Sequence, residues 1–383
     1  MIISKNNLVL ISKSLSLVIR SIFILLLYKE SLFEFLGLYS LVSSLSVVFT
    51  GIFGLEMHMI CNREIAASKV KTSLSFPLYY HALLVLYTTI ITAVLCYIFV
   101  DSQWATILIL TGSYYILAEF IRFFNFSGRI VFSANLNLIR DILVVTTFIG
   151  YKINTIYFLP ISTLQLVLIL ILLYNSNKLK LFNFNEWLTQ TKSLWFFSKY
   201  FYLNVISRNV LAYTDRFLVL SVSGLDGLGK YTLLAYVNSS AVTLLNGSVI
   251  YTRIPLLLKN KITSSVFFKS TILKSYLLLL LIWIAFYLIF PYINLPVDGF
   301  NPLFILIFIF YGFATLFFGV FGQIIYAEGR DKYLVITSIL AAIVTLISAS
   351  LNSNVYIQLC ITSLILIIIG IHRYFVSNNK VSI

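Results

Sequence analysis

Two apolar stretches of the chain contain charged side chains that a lipid bilayer would exclude. They are Lys13 and Arg20 within residues 8–28, and Arg208, Asp215 and Arg216 within residues 201–222. Each stretch is long enough to cross a bilayer, because about 20 residues at a rise of ~1.5 Å each span the hydrocarbon core. A charge at mid-membrane costs about 2.5–3.5 kcal/mol on insertion scales, so these side chains are expected to face a protein interior or a watery cavity. All five are therefore candidates for function.

The spacing of these charges indicates that each helix presents them on one face. Seven residues separate Lys13 from Arg20 and Arg208 from Asp215, and a seven-residue step returns to nearly the same face of an α-helix. We expect the Arg208 guanidinium and the Asp215 carboxylate to share one polar network, with Arg216 turned about 100° away. One charged helix thus lies in each half of the chain.

The composition indicates that these helices belong to a polytopic membrane protein. Of the 383 residues, 60% are hydrophobic and only 10% are charged, whereas a soluble domain has about 25% charged residues. The apolar runs are continuous rather than alternating, which disfavours a β-barrel. Breaks between the runs predict about 12 transmembrane helices: residues 8–28, 36–56, 77–100, 104–124, 136–152, 155–174, 201–222, 230–250, 271–291, 302–322, 333–350 and 355–375.

The basic residues give this arrangement a direction. Of 27 Lys and Arg residues, 19 lie in connections of one parity or at the span ends beside them, 3 in or beside connections of the other parity, and 5 deeper within spans. The positive-inside rule assigns the rich side to the cytoplasm, so both termini are expected there. The longest connection, residues 175–200, is basic and aromatic; it is either an amphipathic linker on anionic lipid or an ordinary interfacial loop. We predict an N-lobe over 1–176, a linker over 177–199 and a C-lobe over 200–383.

The sequence shows none of the residue patterns that several other classes of function require. The three cysteines are scattered, without the spacing of metal ligands or of a disulfide framework. We find no phosphate-binding loop motif and no nucleophile–base set. The net charge of +14 follows the predicted cytoplasmic loops, so it does not indicate nucleic-acid binding.

A short element occurs at corresponding points of the two halves. It reads Leu36-Gly37-Leu38-Tyr39 in the first half and Leu228-Gly229-Lys230-Tyr231 in the second. Many transporters are built from such internal repeats, with the substrate site between them.

Three blocks around these elements resemble one known family. They are residues 35–66, residues 209–258 with Asp215-Arg216, Gly229-x-Tyr231 and Pro255, and residues 321–347 with Gly329-Arg330-x-Lys332. In order and spacing they are similar to the polysaccharide-repeat-unit flippases (Wzx type) of the multidrug/oligosaccharidyl-lipid/polysaccharide exporter superfamily. The resemblance implies an all-α fold of two six-helix lobes around a central cationic cavity.

The resemblance also implies a function. Such a protein would move undecaprenyl-pyrophosphate-linked oligosaccharide repeat units across the bacterial inner membrane, for O-antigen or another surface polysaccharide. It would be a transporter and not an enzyme, with no cofactor, driven by a proton or a sodium gradient if it is coupled. Its partners would be the lipid-linked oligosaccharide, the bilayer, and the polymerase and chain-length regulator of the same process.

On this interpretation the charged residues receive roles. Arg binds phosphate through a planar fork and Lys through a point charge. We therefore expect substrate binding by cationic and amide side chains, namely Lys13, Arg20, Asn204, Arg208 and Arg216. We expect coupling or gating by Asp215, Glu56, and the Arg140-Asp141 pair at the cytoplasmic end of the fifth span.

The same residues have plainer interpretations that stay open. Lys13 can reach the interface with its long side chain, and Arg20 can pair with a carboxylate such as Glu56. Asp215 can belong to a structural ion pair rather than to a proton- or cation-binding switch.

Two other functions compete with the flippase interpretation. A membrane-embedded polysaccharide polymerase or ligase would be expected to need a large outward loop, and every predicted outward loop is short. A cation-coupled drug exporter of the same fold would favour a carboxylate-rich cavity, whereas the spans of this chain contain more Lys and Arg than acids.

Overall fold

A computed structural model of the chain describes residues 5–53, 75–99, 102–126, 130–153, 164, 167–169, 171, 184–250, 253, 254, 257, 262–289 and 302–378. These residues form an all-helical fold, and no strand occurs among them. The predicted fold class is therefore confirmed. The number of twelve crossings stays a prediction, because most of the predicted sixth span, residues 155–174, lies outside the described residues.

The described helices follow the predicted spans along the chain. They are α1 (Lys5–Lys29), α2 (Phe33–Phe53), α3 (Ser75–Phe99), α4 (Ser102–Phe126), α5 (Ile130–Ile153), α6 (Phe184–Leu245), α7 (Ser264–Ile289), α8 (Pro302–Ala327), α9 (Asp331–Leu351) and α10 (Val355–Asn378), with a π-helical turn at Asn246–Ile250. Gly224 interrupts α6, with φ 65° and ψ −164°, a backbone conformation that is essentially restricted to glycine.

Six of these helical segments are long and apolar enough to cross a membrane. They are Val131–Gly150, Tyr202–Leu245, Ser264–Leu288, Pro302–Ala327, Asp331–Leu351 and Val355–Ser377. Large apolar side chains such as Leu273, Leu281 and Leu340 are exposed on their surfaces, whereas polar side chains such as Ser338 and Thr271 are buried. This inside-out distribution is that of a protein whose solvent is lipid.

The chain forms two compact units. Unit 1 consists of Met1–Ile24 and Leu41–Tyr202, and unit 2 consists of Leu25–Ser40 and Leu203–Ile383. In unit 1, α4 packs against both α3 and α5; in unit 2, α8 packs against α7 and α10, and α9 packs against α10.

Several described helices begin earlier than the sequence predicts, and two of them, α5 and α6, bear on the site. The fifth span was expected over 136–152, but α5 starts at Ile130, so Arg140 and Asp141 lie near its middle and not at its end. The sequence is misleading here because polar residues such as Ser133 lower the local hydropathy, although Ser133 is buried and donates to the carbonyl of Ile121 (2.9 Å). Likewise, α6 begins at Phe184, within the predicted linker.

Unit 2 contains a reciprocal contact between the two repeat elements. A Cβ atom on Gly37 would overlap the backbone carbonyl of Leu225, and a Cβ atom on Gly229 would overlap the backbone carbonyl of Phe33. Each carbonyl belongs to the residue four positions before the opposite glycine. The two segments thus meet backbone to backbone, which requires glycine at both positions.

Candidate functional site

The polar cluster of unit 1 is built around the buried carboxylate of Asp141. Arg20 on α1 and Arg140 on α5 both form ion pairs with Asp141, the latter at 3.2 Å, and Ser16 on α1 donates a hydrogen bond to it. The side chain of Asp141 is 1% exposed and that of Arg20 is 25% exposed. Two guanidinium groups therefore share one carboxylate, which leaves the cluster with a surplus positive charge.

Amide and hydroxyl groups fix the geometry of this cluster. Asn137 donates to the Ser16 hydroxyl (3.1 Å) and accepts from Arg140 (2.6 Å). One turn earlier on α1, Ser12 donates to Asn135 (2.7 Å). On α1 the bonded residues are four apart, which places them on one helical face.

Arg140 has an additional aromatic contact. Its guanidinium lies 4.2 Å from the centre of the Tyr114 ring on α4. A cation over an aromatic face is stabilised by the ring quadrupole, by about 2 kcal/mol or more when desolvated. This contact ties α5 to α4 within unit 1.

The polar cluster of unit 2 is built around a cation, Arg373 on α10. The side chain of Arg373 is 1% exposed and lies 4.0 Å over the ring of Phe318. Its guanidinium donates to the hydroxyls of Thr337 (2.8 and 2.9 Å) and Ser338 (2.7 Å), and to the carbonyls of Leu334 (3.2 Å) and Phe318 (3.4 Å). No carboxylate pairs with Arg373 among the described residues.

This cluster extends to two of the predicted substrate-binding residues on α6. The Ser338 hydroxyl, which accepts from Arg373, donates to Oδ1 of Asn204 (2.7 Å). Arg208 lies one turn beyond Asn204 and close enough to Arg373 for their charges to interact. Arg208 is exposed, and it makes no hydrogen bond or ion pair within the part of the chain that the structure describes.

Asp215 forms a separate buried network in unit 2. Its carboxylate accepts a hydrogen bond from Tyr231, the tyrosine of the second repeat element. The neighbouring Arg216 lies 5.0 Å over the Tyr213 ring. Tyr311 on α8 donates to the Leu211 carbonyl (3.0 Å), one turn earlier on α6.

The expected network of Arg208 and Asp215 differs from the structure. Seven residues return to the same helical face but advance about 10.5 Å along the axis, which is farther than an ion pair spans. Asp215 therefore bonds to Tyr231, whereas the charge of Arg208 interacts with that of Arg373. The carboxylate partner of Arg20 is Asp141.

Some predicted residues lie outside the described part of the chain. These are Glu56 and the side chain of Lys13, whose backbone belongs to α1. Arg373 is the residue that the sequence analysis missed, because we counted it among the cytoplasmic loop cations. Its partners Thr337 and Ser338 gave no usable signal, because hydroxyl residues are common in helices that pack closely in lipid.

Unit 2 also has an apolar groove between α7 and α8. Its volume is about 820 Å³, and its lining includes Phe268, Tyr276 and Phe313, with Lys269 at one end. No group of three or more His, Cys, Asp or Glu residues able to hold a metal ion occurs among the described residues.

Comparison with known proteins identifies the fold. A crystal structure of a MATE protein in complex with MaL6 superposes with a TM-score of 0.57 at 11% identity, over 97% of this chain and 96% of that one. No family model matches the chain, and no curated protein matches it. The chain therefore shares the fold of that MATE protein.

Proposed function

We propose that this protein is a flippase that moves an anionic lipid-linked oligosaccharide across the cytoplasmic membrane, for the synthesis of a surface polysaccharide. One observation supports this substrate class above all: both units contain more arginine than carboxylate in their polar clusters. The arginines are Arg20, Arg140, Arg208, Arg216 and Arg373, and the carboxylates are Asp141 and Asp215.

The sign of this charge decides between substrates. An interior with surplus guanidinium attracts a pyrophosphate and repels an organic cation. Arginine also matches the oxygens of a phosphate in a bidentate manner, and its binding replaces the water that the anion loses on leaving solution. Buried serine, threonine and asparagine side chains supply partners for sugar hydroxyls.

The chemistry of a lipid-linked substrate agrees with two further features. The substrate chain must stay in lipid while its head crosses, and the aromatic groove along α7 and α8 offers an apolar surface with Lys269 at one end. No cofactor is part of this proposal, and either a proton or a sodium gradient would suffice to drive the step.

A drug exporter is the competing function, because the fold is equally compatible with it and Asp215 is a buried carboxylate with one oxygen unpartnered among the described residues. Deletion of the gene separates the two. We expect lipid-linked single repeat units to accumulate in the inner leaflet, as measured by access of a glycan-binding reagent to sealed vesicles. Repeat units mainly in the outer leaflet, or an unchanged glycan together with increased sensitivity to cationic drugs, would contradict the flippase.

We also propose that both termini and residues 175–200 are cytoplasmic, from the distribution of the loop cations. Single cysteines at Lys178, Lys380, Asp101 and Asp298, in a cysteine-free background, test this orientation with an impermeant thiol reagent on intact cells. We expect labelling at positions 101 and 298 only. Labelling at 178 or 380, with none at 101 or 298, would invert the topology.

A further inference from the structure

We propose that Arg208 and Asn204 form a phosphate-binding subsite in unit 2, and that Arg373 is a positioning residue for it. The inference deepens the proposed function, on which it rests for the identity of the natural ligand. It concerns how this unit recognises an anion, and it can be tested without transport.

Arg373 itself is not available as the ligand-binding arginine. Its Nε, Nη1 and Nη2 groups all donate to acceptors of α8 and α9, and its side chain is almost fully buried. The acceptors are neutral, so the charge of Arg373 is solvated but not neutralised within the described residues. A buried charge without a counter-charge is costly, and the fold retains it.

The charge of Arg373 acts on Arg208. Arg208 is exposed and has no hydrogen-bond partner among the described residues, and its charge interacts unfavourably with that of Arg373. Solvent screens part of this repulsion, because Arg208 is exposed. An anion bound by Arg208 would meet the positive charge of both arginines, so the pair favours anion binding.

The Asn204 amide is held in one orientation by its hydrogen bond to Ser338. The Ser338 oxygen accepts from Arg373, so its own proton is directed to Oδ1 of Asn204. That bond fixes the amide with its oxygen toward α9, and it leaves the Nδ2 group as the available donor. One turn away on the same face, Arg208 adds its planar fork. Fork and amide together suit the oxygens of a phosphate.

Binding of inorganic pyrophosphate to the purified full-length protein tests the subsite. We expect pyrophosphate to raise the thermal unfolding midpoint of the wild type, and we expect Arg208→Ala to weaken the apparent affinity about tenfold or more. Arg330→Ala is the matched control, because Arg330 lies near the same end of α10, where it donates to the Val376 carbonyl (2.8 Å), and it pairs with Glu328 (3.7 Å) rather than with the Arg373 cluster. Wild-type affinity in Arg208→Ala would overturn the assignment.

The positioning role of Arg373 is tested with a pair of Ser338 variants, because variants of the buried Arg373 itself could fail to fold. Ser338→Ala breaks the link to Asn204, whereas Ser338→Thr keeps a hydroxyl there. We expect the first to weaken pyrophosphate binding several-fold and the second to restore it, with the ligand-induced shift of each variant measured from its own unliganded midpoint, since Ser338→Ala also removes an acceptor from Arg373. Equal binding by both variants would contradict the link.

Two further measurements test the preference for phosphate and distinguish a wrong subsite from a wrong function. Glucuronate supplies a sugar carboxylate in place of a phosphate, and stabilisation equal to that by pyrophosphate would refute phosphate recognition. If pyrophosphate binds as expected but repeat units still cross in the deletion strain, the subsite stands and the flippase is wrong. If the wild type does not bind pyrophosphate but deletion traps repeat units, the flippase stands and the subsite is wrong.

Discussion

The two units organise buried charge in opposite ways. In unit 1 a carboxylate, Asp141, is at the centre, and two arginines converge on it. In unit 2 an arginine, Arg373, is at the centre, and hydroxyls and carbonyls converge on it. The central carboxylate of unit 1 pairs with both of its arginines and offsets one of their two charges, whereas the charge of Arg373 is solvated by neutral groups alone among the described residues. On the proposed function, we therefore expect the cluster of unit 1 to contribute mainly to stability and that of unit 2 to bind the anion.

Loss of the central carboxylate is expected to have the largest effect. Asp141→Ala leaves Arg20 and Arg140 without their counter-charge, and removal of one partner of a buried ion pair costs about 3–5 kcal/mol. We expect a large fall in folded protein, measured by thermal unfolding in detergent. Asp226→Ala is the control, since Asp226 pairs with Lys230 (2.8 Å) where both side chains are more than half exposed; it should cost less than about 1 kcal/mol. Equal stability of the two variants would contradict a structural role for the Asp141 cluster of unit 1.

The second-largest effect is expected from the more exposed arginine of each unit, Arg20 in unit 1 and Arg208 in unit 2. Arg20→Ala removes a charge-assisted bond to Asp141, so it should lower stability by about 1.5–3 kcal/mol together with export. Arg208→Ala should abolish export at normal abundance and an unchanged unfolding midpoint, with partial activity in Arg208→Lys. Protein abundance, unfolding and glycan export are measured for each. Full complementation by Arg208→Ala would eliminate the anion role of unit 2.

Two threonines on α9 provide the finest test. Thr337 accepts two bonds from Arg373, whereas the Thr345 hydroxyl has no partner within the described part of the chain. Thr337→Val should destabilise unit 2 by about 1–3 kcal/mol, because buried donors of Arg373 lose their acceptor. Thr345→Val should be neutral or stabilising. The reverse order in chemical or thermal unfolding would show that Arg373 does not depend on these hydroxyls.

The sequence predicts much of the helical arrangement because hydrophobic length is a strong local signal. It also selects α1 and α6 as charged helices, and it singles out Arg140 and Asp141, which form a buried ion pair in unit 1. It cannot choose partners across helices. The seven-residue spacing places Arg208 and Asp215 on the same face of α6, but their separation along the helix axis is too large for an ion pair. A prediction from helical faces alone does not take that axial separation into account.

Arg373 was missed for a different reason. A cation within a few residues of the end of an apolar run has the same sequence signature whether it faces lipid headgroups or a protein interior. Only the packing of α8 and α9 around α10 shows that its stem and head are enclosed. The hydroxyls of Thr337 and Ser338 have no distinguishing pattern of their own, because such residues are common in helices that pack closely in lipid.

The contact of Gly37 and Gly229 in unit 2 has a consequence for the origin of the chain. An interface in which each partner uses the same surface, residue i against j and j against i, is isologous, and it is the usual contact of a two-fold symmetric homodimer. Here both partners belong to one polypeptide, each placing a glycine against the carbonyl four positions before the other glycine. A half-length ancestor with one Leu-Gly-x-Tyr element could have joined a second copy of itself through this surface. Gene duplication and fusion would then have preserved the element where two backbones touch, while the rest of the two halves diverged.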